Sequence, residues 1–263
     1  ALARVALSVV MMVGTAVPAL AAERWATLPE PGPMPAAVRS GLEPIDDIEM
    51  YYAVYGAGSP VLLVHGGGGN ADQWGAIVTD LSKTHQVIVA DSRGHGRTGF
   101  TEKPLGYDLM ATDYIALLDY LNVEQVALIG WSDGGTIGLS IAINYPERLA
   151  RLFAHAGSAT LEGALPIDWS MPTMSGIYER NSVAYTAISP TPEKLDVFVN
   201  ALNTLWSTEP NWSDDVLAEI TVPTTIAIGD HDEMVSFAHN QHLAEIIPGA
   251  RFVELKDTSH FSI

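Results

Sequence analysis

The sequence predicts an α/β protein in which helices cover both faces of a mostly parallel sheet. From residue 45 onward, short apolar runs alternate with helical stretches, as in a doubly wound sheet. The central runs are apolar throughout instead of at every second position, which strands buried on both faces require. With 263 residues, of which 48% are hydrophobic, the chain is long enough for one domain with a full core.

Seven apolar runs predict strands at residues 50–55, 61–64, 86–90, 126–129, 152–156, 224–228 and 251–255. Helices are predicted between them at residues 71–81, 109–121, 134–144 and 237–247. Prolines mark several of the joints, at Pro146, Pro223 and Pro248, because proline interrupts both helices and central strands. The resulting domain is expected to span residues 44–263.

The alternation breaks between about residues 157 and 220, a region rich in tryptophan, tyrosine and methionine. We interpret this region as a small, mostly helical cap inserted between two strands. Its aromatic and methionine side chains suit either the lining of an apolar pocket or the packing of the cap onto the sheet. The sequence does not separate these two roles.

The first 22 residues have the pattern of a signal peptide. Arg4 precedes a short apolar stretch at residues 5–13, and Ala19-Leu20-Ala21 fits a cleavage site. The alternative, a membrane anchor, is disfavoured because the apolar part is shorter than the ~20 residues that span a bilayer. We therefore expect export to the periplasm or the medium. Residues 23–43, with four closely spaced prolines, are expected to form a linker or surface arm.

Composition excludes several classes of function. Lys and Arg number 13 and Asp and Glu number 31, giving a net charge of −18, which disfavours nucleic acids and stable association with anionic membranes. Cysteine is absent, so disulfides, thiolate metal sites and cysteine nucleophiles are excluded. We expect no metal and no cofactor, and the oligomeric state is not predicted.

Ser132 is the candidate nucleophile. It lies in Gly130-Trp131-Ser132-Asp133-Gly134, between the apolar run 126–129 and the predicted helix 134–144. A strand, a Gly-x-Ser-x-Gly turn and a helix form a nucleophile elbow, in which strained backbone angles expose the serine hydroxyl. The motif alone also occurs by chance, so its weight comes from the flanking strand and helix.

A serine nucleophile needs a base and a carboxylate that orients the base. His260 follows the last predicted strand, at the sheet edge where sites form, and is our candidate base. Asp232 is the favoured acid, with Asp230 as the alternative and Glu233 third. The other histidines lie in glycine-rich turns, at strand ends, in a predicted surface helix or beside the acid (His65, His95, His85, His155, His239, His242 and His231).

An oxyanion formed during acyl transfer needs two fixed N–H donors. The backbone N–H of Asp133 is the first candidate, because it follows the nucleophile at a helix N-terminus. Gly67 is the second, with Gly68 in reserve, because the glycine-rich loop 65–69 lets the backbone approach a substrate. This loop lacks the lysine of a nucleotide-binding P-loop. Gly66, Gly68 and Trp131 are expected to contact substrate.

Together these residues resemble the α/β-hydrolase superfamily over most of residues 48–260. The motifs are Val64-His65-Gly66-Gly67, Trp74, Asp91-Ser92-Arg93-Gly94-His95-Gly96-Arg97, Gly130 to Gly135, Pro146-Glu147-Arg148, Gly229-x-x-Asp232 and His260. The resemblance implies the corresponding fold, a Ser132–His260–Asp232 triad, and hydrolysis of a carboxylic ester, thioester or lactone without a cofactor. Asp91 and Arg97 match scaffold positions. A final helix is expected after the histidine, and only residues 261–263 follow it, so we expect that helix to be truncated.

Several alternatives remain at this point. The Asp133 carboxylate suits a helix start, and it also suits binding of a substrate amino group, since some superfamily members with a similar stretch hydrolyse aminoacyl esters. A serine carboxylesterase acting on a small molecule is the leading prediction. Carbon–carbon bond hydrolysis and cofactor-free perhydrolysis use the same triad, and a non-catalytic binding protein of this fold is a further alternative.

Overall fold

Eight strands form one sheet in the computed structural model, which describes residues 23–261. They are β1 Arg39–Ile45, β2 Ile48–Tyr55, β3 Ser59–Val64, β4 His85–Ala90, β5 Val126–Trp131, β6 Leu149–His155, β7 Thr224–His231 and β8 Arg251–Ser259. Their order is β1-β2-β4-β3-β5-β6-β7-β8. The β1–β2 and β2–β4 pairs are antiparallel and all others are parallel. The predicted mostly parallel sheet is confirmed.

Helices flank this sheet and explain the continuously apolar strands. They are α1 Gly75–Leu81, α2 Tyr107–Tyr120, α3 Asp133–Asn144, α4 Pro172–Ile188, α5 Leu195–Thr208, α6 Asp214–Leu217 and α7 Phe237–Ile246. Successive side chains of a strand point to opposite faces. Leu62 accordingly belongs to the core that includes α2 and α3, whereas Leu63 belongs to a second core that includes α1. Both faces are therefore covered.

The edge strand β1 was not predicted. Its first five residues, 39–43, fall within the segment expected to be a linker, so the end of that segment is corrected to residue 38. Most positions of β1 alternate between exposed and half-buried. Pro44 has no backbone N–H to donate, which an edge strand tolerates. No apolar run therefore marked this strand. Residues 1–22, with the predicted signal peptide, and residues 262–263, where a further helix was expected, lie outside the described residues.

The arm that precedes β1 lies against the rest of the protein. It begins with a short 3-10 turn at Arg24–Ala26, where the Trp25 ring stacks on His231 at 4.4 Å between centroids. Farther along, Pro31 accepts a hydrogen bond from the backbone of Ala76 in α1 at 2.8 Å. Arg180 of α4 donates to the carbonyl of Pro29 at 2.7 Å. The arm thus bridges α1, α4 and the loop after β7.

Helices α4, α5 and α6 lie between β6 and β7, inside the segment predicted as a cap. Tyr185 of α4 and Phe198 of α5 stack at 4.8 Å between ring centroids. Phe198 also packs edge-on against His95 of the main sheet domain at 4.7 Å. We call α4, α5 and their connection the cap. Among residues 23–261, no helix is both long and apolar enough to cross a membrane.

Candidate active site

Ser132 occupies a sharp turn between β5 and α3. Its backbone angles are φ 57° and ψ −122°, a conformation that costs free energy for any residue other than glycine. The turn packs tightly against β3, because a Cβ atom placed on Gly134 would lie 2.0 Å from the carbonyl oxygen of Val64. Only glycine fits there. The nucleophile-elbow geometry expected from the motif is present.

Ser132, His260 and Asp232 form a continuous chain of hydrogen bonds. The Nε2 atom of His260 lies 2.9 Å from Ser132 Oγ, and its Nδ1 atom lies 2.9 Å from Asp232 Oδ2. The Asp230 carboxylate instead accepts the backbone N–H of Thr258 at 3.2 Å. Of the two aspartates considered from the sequence, only Asp232 contacts the histidine.

The surroundings favour an ionised Asp232 and a basic His260. Burial opposes the charge of Asp232, yet His260 and the backbone N–H groups of Met234 and Val235 hold the pKa of this carboxyl below its usual value. Burial also opposes a charged His260, but the nearby carboxylates of Asp232, Glu233 and Asp133 raise its pKa. The imidazole is thus prepared to accept a proton from Ser132.

Two further contacts fix the backbone of His260. The indole N–H of Trp131 donates to the His260 carbonyl at 2.9 Å, and Glu233 Oε2 accepts the His260 backbone N–H at 2.9 Å. Glu233 also accepts the hydroxyl of Thr173 in the cap at 3.2 Å. From the sequence, Glu233 was considered only as a third candidate acid, and its holding role was missed.

The two candidate oxyanion donors line the same cavity as Ser132. Within residues 23–261, no protein acceptor is found for the backbone N–H of Gly67 or of Asp133. A Cβ atom on Gly67 would lie 2.3 Å from the Asp133 carboxylate and 2.6 Å from the Trp206 ring. Gly67 is therefore required for this close approach. Gly66 and Gly68, expected to contact substrate, line the cavity as well.

Buried hydrogen bonds hold the glycine loop in place. The backbone N–H of Ser92 donates to His65 Nε2 at 3.0 Å, so the His65 Nδ1–H donates to the Gly66 carbonyl at 2.8 Å. Asp91 accepts the N–H of Ala71 at 2.7 Å and also pairs with Arg97 at 3.1 Å. Burial lowers the pKa of His65, which agrees with a neutral structural role. Asp91 and Arg97 have the expected scaffold contacts.

The Asp133 carboxylate joins three parts of the structure. It accepts the indole N–H of Trp206 in α5 at 2.9 Å and the hydroxyl of Tyr107 at the start of α2, also at 2.9 Å. Burial raises the pKa of Asp133, while these two donors and the charge of His260 oppose that rise. Sequence reasoning identified neither partner, because Tyr107 lies 26 residues before and Trp206 lies 73 residues after Asp133.

A cavity of about 510 Å³ lies between Ser132 and the cap, a volume typical of sites for small molecules. Ser132, His260 and Trp131 line one side of it. Cap side chains, mostly apolar, line the other, among them Met174, Ile177, Phe198 and Leu202. We call this space the cap cavity. Within the described residues, no cluster of three or more histidine, aspartate or glutamate side chains could hold a metal ion.

Comparison with known proteins gives consistent matches. A model of the alpha/beta hydrolase fold family matches residues 59–180. A 2-hydroxy-6-oxo-2,4-heptadienoate hydrolase of Pseudomonas putida is 30% identical, over 73% of this chain and 79% of the relative. RutD of Azorhizobium caulinodans, provisionally assigned as a carbamate hydrolase, is 29% identical, over 81% of this chain and 89% of the RutD chain. The solved structure of Est816, an N-acyl homoserine lactone degrading enzyme, is 27% identical, with a TM-score of 0.63 over 82% and 92% of the two chains.

Proposed function

This chain belongs to the α/β-hydrolase superfamily, and from that premise we propose that it is a serine hydrolase that cleaves a carboxylic ester, thioester or lactone. The observation that carries the proposal is the hydrogen-bonded chain from Ser132 Oγ through His260 to Asp232. Its Ser132 end lies at a cavity lined by Gly67 and Asp133, whose backbone N–H groups have no protein acceptor among the described residues. Nucleophile, base, acid and oxyanion donors are the groups that acyl transfer requires.

In the first half of the proposed reaction, Ser132 Oγ attacks the acyl carbon and passes its proton to His260 Nε2. The N–H groups of Gly67 and Asp133 stabilise the negative oxygen of the tetrahedral intermediate. The bond between the acyl carbon and the leaving oxygen, or the leaving sulfur of a thioester, then breaks, and His260 donates its proton to that atom. An alcohol or a thiol departs, whereas the new hydroxyl of an opened lactone stays attached to the acyl group, and an acyl-serine remains.

In the second half, a water molecule gives a proton to His260 and attacks the acyl carbon. The bond to Ser132 Oγ breaks, the serine oxygen takes the proton from His260, and the acid is released. Asp232 keeps His260 in the tautomer that accepts a proton at Nε2 and stabilises the imidazolium formed in each half.

Labelling with a fluorophosphonate probe tests this proposal. We expect the wild-type protein to be labelled and the Ser132→Ala variant not to be. The matched control is Ser182→Ala, since Ser182 of α4 also lines the cap cavity but has no histidine partner among the described contacts. It should still be labelled. Labelling that persists in Ser132→Ala and disappears in Ser182→Ala would refute the assigned nucleophile.

A substrate panel then separates the reactions that share these residues. It contains 4-nitrophenyl esters, aminoacyl esters, thioesters, lactones and diketones, each assayed with wild type and Ser132→Ala. Ser132-dependent hydrolysis of esters or lactones is expected. Turnover of the diketones alone would replace the proposal with carbon–carbon bond hydrolysis. The Pseudomonas putida relative is named as a hydrolase of 2-hydroxy-6-oxo-2,4-heptadienoate, so such keto compounds belong in the panel.

A further inference from the structure

Acidic residues predominate among the titratable side chains around the cap cavity. Its lining includes Asp133 and Glu209, together with His260. Asp232 and Glu233 lie directly behind His260. No lysine or arginine of residues 23–261 lines this cavity.

The nearby arginines are held elsewhere by acidic partners. Arg93 pairs with Asp113 at 2.6 Å, and Arg97 pairs with Asp91. Arg180 of the cap pairs with a glutamate of the arm and donates to two arm carbonyls. None of these guanidinium groups is available to a ligand in the cavity without breaking its present contacts.

An anion that entered this space would lose hydration and meet no lysine or arginine of the described residues, and the His260 imidazole there is already paired with Asp232. Burying an unpaired charge is costly, and a like charge nearby raises that cost. Burial raises the pKa of Asp133, and the hydrogen bonds from Trp206 and Tyr107 oppose that rise by stabilising its ionised form. A neutral hydrocarbon group, in contrast, gains free energy when it is buried against the apolar side chains of the cap, because no unpaired charge is buried with it.

We infer that the cap cavity selects esters whose acyl group is uncharged and mainly apolar, and that it rejects acyl groups carrying a carboxylate. This inference rests on the proposed function, since it names the substrate class of the same site. The selective elements are the carboxylates of Asp133 and Glu209, acting with the apolar cap wall. In this view the charge of the site, in addition to its shape, determines specificity.

Three 4-nitrophenyl esters with the same leaving group test the inference. They are the hexanoate, the 5-(methoxycarbonyl)pentanoate and the adipate half-ester, whose free carboxylate replaces the methyl ester. We expect kcat/KM to be about 100-fold lower for the half-ester than for its methyl ester. Equal rates on these two esters, or a faster rate on the half-ester, would overturn the inference.

Charge-removing variants identify the source of the discrimination. Glu209→Gln and Asp133→Asn should each narrow the ratio between methyl ester and half-ester, by about 5-fold or more. Glu179→Gln is the matched control, because Glu179 is exposed on α4 and does not line the cavity. It changes the net charge equally and should leave the ratio unchanged. If Glu179→Gln narrowed the ratio as much, the general negative field of the protein would be responsible and the inference would fail.

Binding distinguishes failure of this inference from failure of the proposed function. The same esters are titrated into Ser132→Ala, with quenching of tryptophan fluorescence as the readout, since Trp131 and Trp206 line the cavity. The neutral esters should bind about 10-fold more tightly than the half-ester. Such a preference without Ser132-dependent turnover would refute the proposed reaction and uphold the selectivity. Ser132-dependent turnover with equal binding and equal rates for the methyl ester and the half-ester would refute the selectivity and uphold the proposed reaction.

Discussion

The sheet edge around Ser132 and the cap above it are held by different forces. At the edge, each functional side chain has a directional partner, from the bond between Ser132 and His260 to the backbone donors on Asp232. The cap is held together by apolar contacts such as the stack of Tyr185 on Phe198, and its hydrogen bonds to the rest of the protein are made by separate side chains, among them Thr173, Arg180 and Trp206. Because hydrogen bonds weaken steeply with misalignment, small changes at the edge should have large effects, whereas the cap should tolerate change.

The largest effect is expected at the acid. Asp232→Asn should lower kcat/KM by about 10⁴-fold, because an amide no longer holds the His260 tautomer. Asp230→Asn is the matched control two residues earlier, at the end of β7, and should stay within about 3-fold of wild type. The partners of Asp230 among the described residues include the backbone of Thr258 and the side chains of His231 and Lys256, none of which belongs to the proposed triad. Steady-state kinetics on a 4-nitrophenyl ester measures both. Similar losses in the two variants would contradict the assignment.

A somewhat smaller loss is expected at the glycine loop. Gly67→Ala should reduce kcat/KM by about 10²–10³-fold, the effect of losing one oxyanion donor, because its Cβ atom must displace the loop or the Asp133 carboxylate. Gly99→Ala serves as the control, since its Cβ would have only one neighbour within 4 Å, at 3.7 Å. Steady-state kinetics and a thermal melting curve for each variant distinguish a loss of catalysis from a loss of folding. A fully active Gly67→Ala would exclude Gly67 as a donor.

A moderate effect is expected from the carboxylate that links edge and cap. Glu233 contributes to the raised pKa of His260, and His260 must be neutral to act as a base. Activity should therefore fall as the pH drops through this raised pKa, from a higher pH than for an ordinary histidine. Glu233→Gln keeps an acceptor for the His260 N–H but removes the charge, so the acid limb of kcat/KM against pH should move to lower pH. A limb that stayed in place or moved upward would count against this electrostatic role.

The smallest effect is expected where the cap meets the arm. Arg180→Ala removes a partly exposed ion pair and two hydrogen bonds to arm carbonyls. Exposed pairs contribute up to about 1 kcal/mol, so the melting temperature should fall by about 1–4 °C, with kcat/KM within about 3-fold. Lys194→Ala, at an exposed cap lysine, controls for loss of charge. A 100-fold loss of activity in Arg180→Ala would show that the cap is as sensitive as the edge.

This contrast also explains what the sequence could predict. Ser132, Asp232 and His260 each follow a parallel strand, and such strands bring their carboxyl ends to one edge, so their meeting follows from local pattern. Trp206 reaches Asp133 only through the packing of α5, which no spacing encodes. The edge strand β1 was missed because an alternating, half-exposed strand carries no apolar run. Residue types at strand ends were therefore predictable, and contacts across the cap were not.

The Asp133 carboxylate, already tied to Trp206 and Tyr107, also bears on how a catalytic cycle ends. Hydrolysis of a neutral ester produces an acid with an ordinary pKa near 4, which ionises at neutral pH. The product then carries a negative charge close to the Asp133 carboxylate, whereas the neutral substrate carried none and was not repelled. In the proposed reaction, a site with ionised carboxylates should bind the product less tightly than the substrate. We therefore expect the residue next to the nucleophile to favour product release, so that accumulated acid inhibits turnover only weakly.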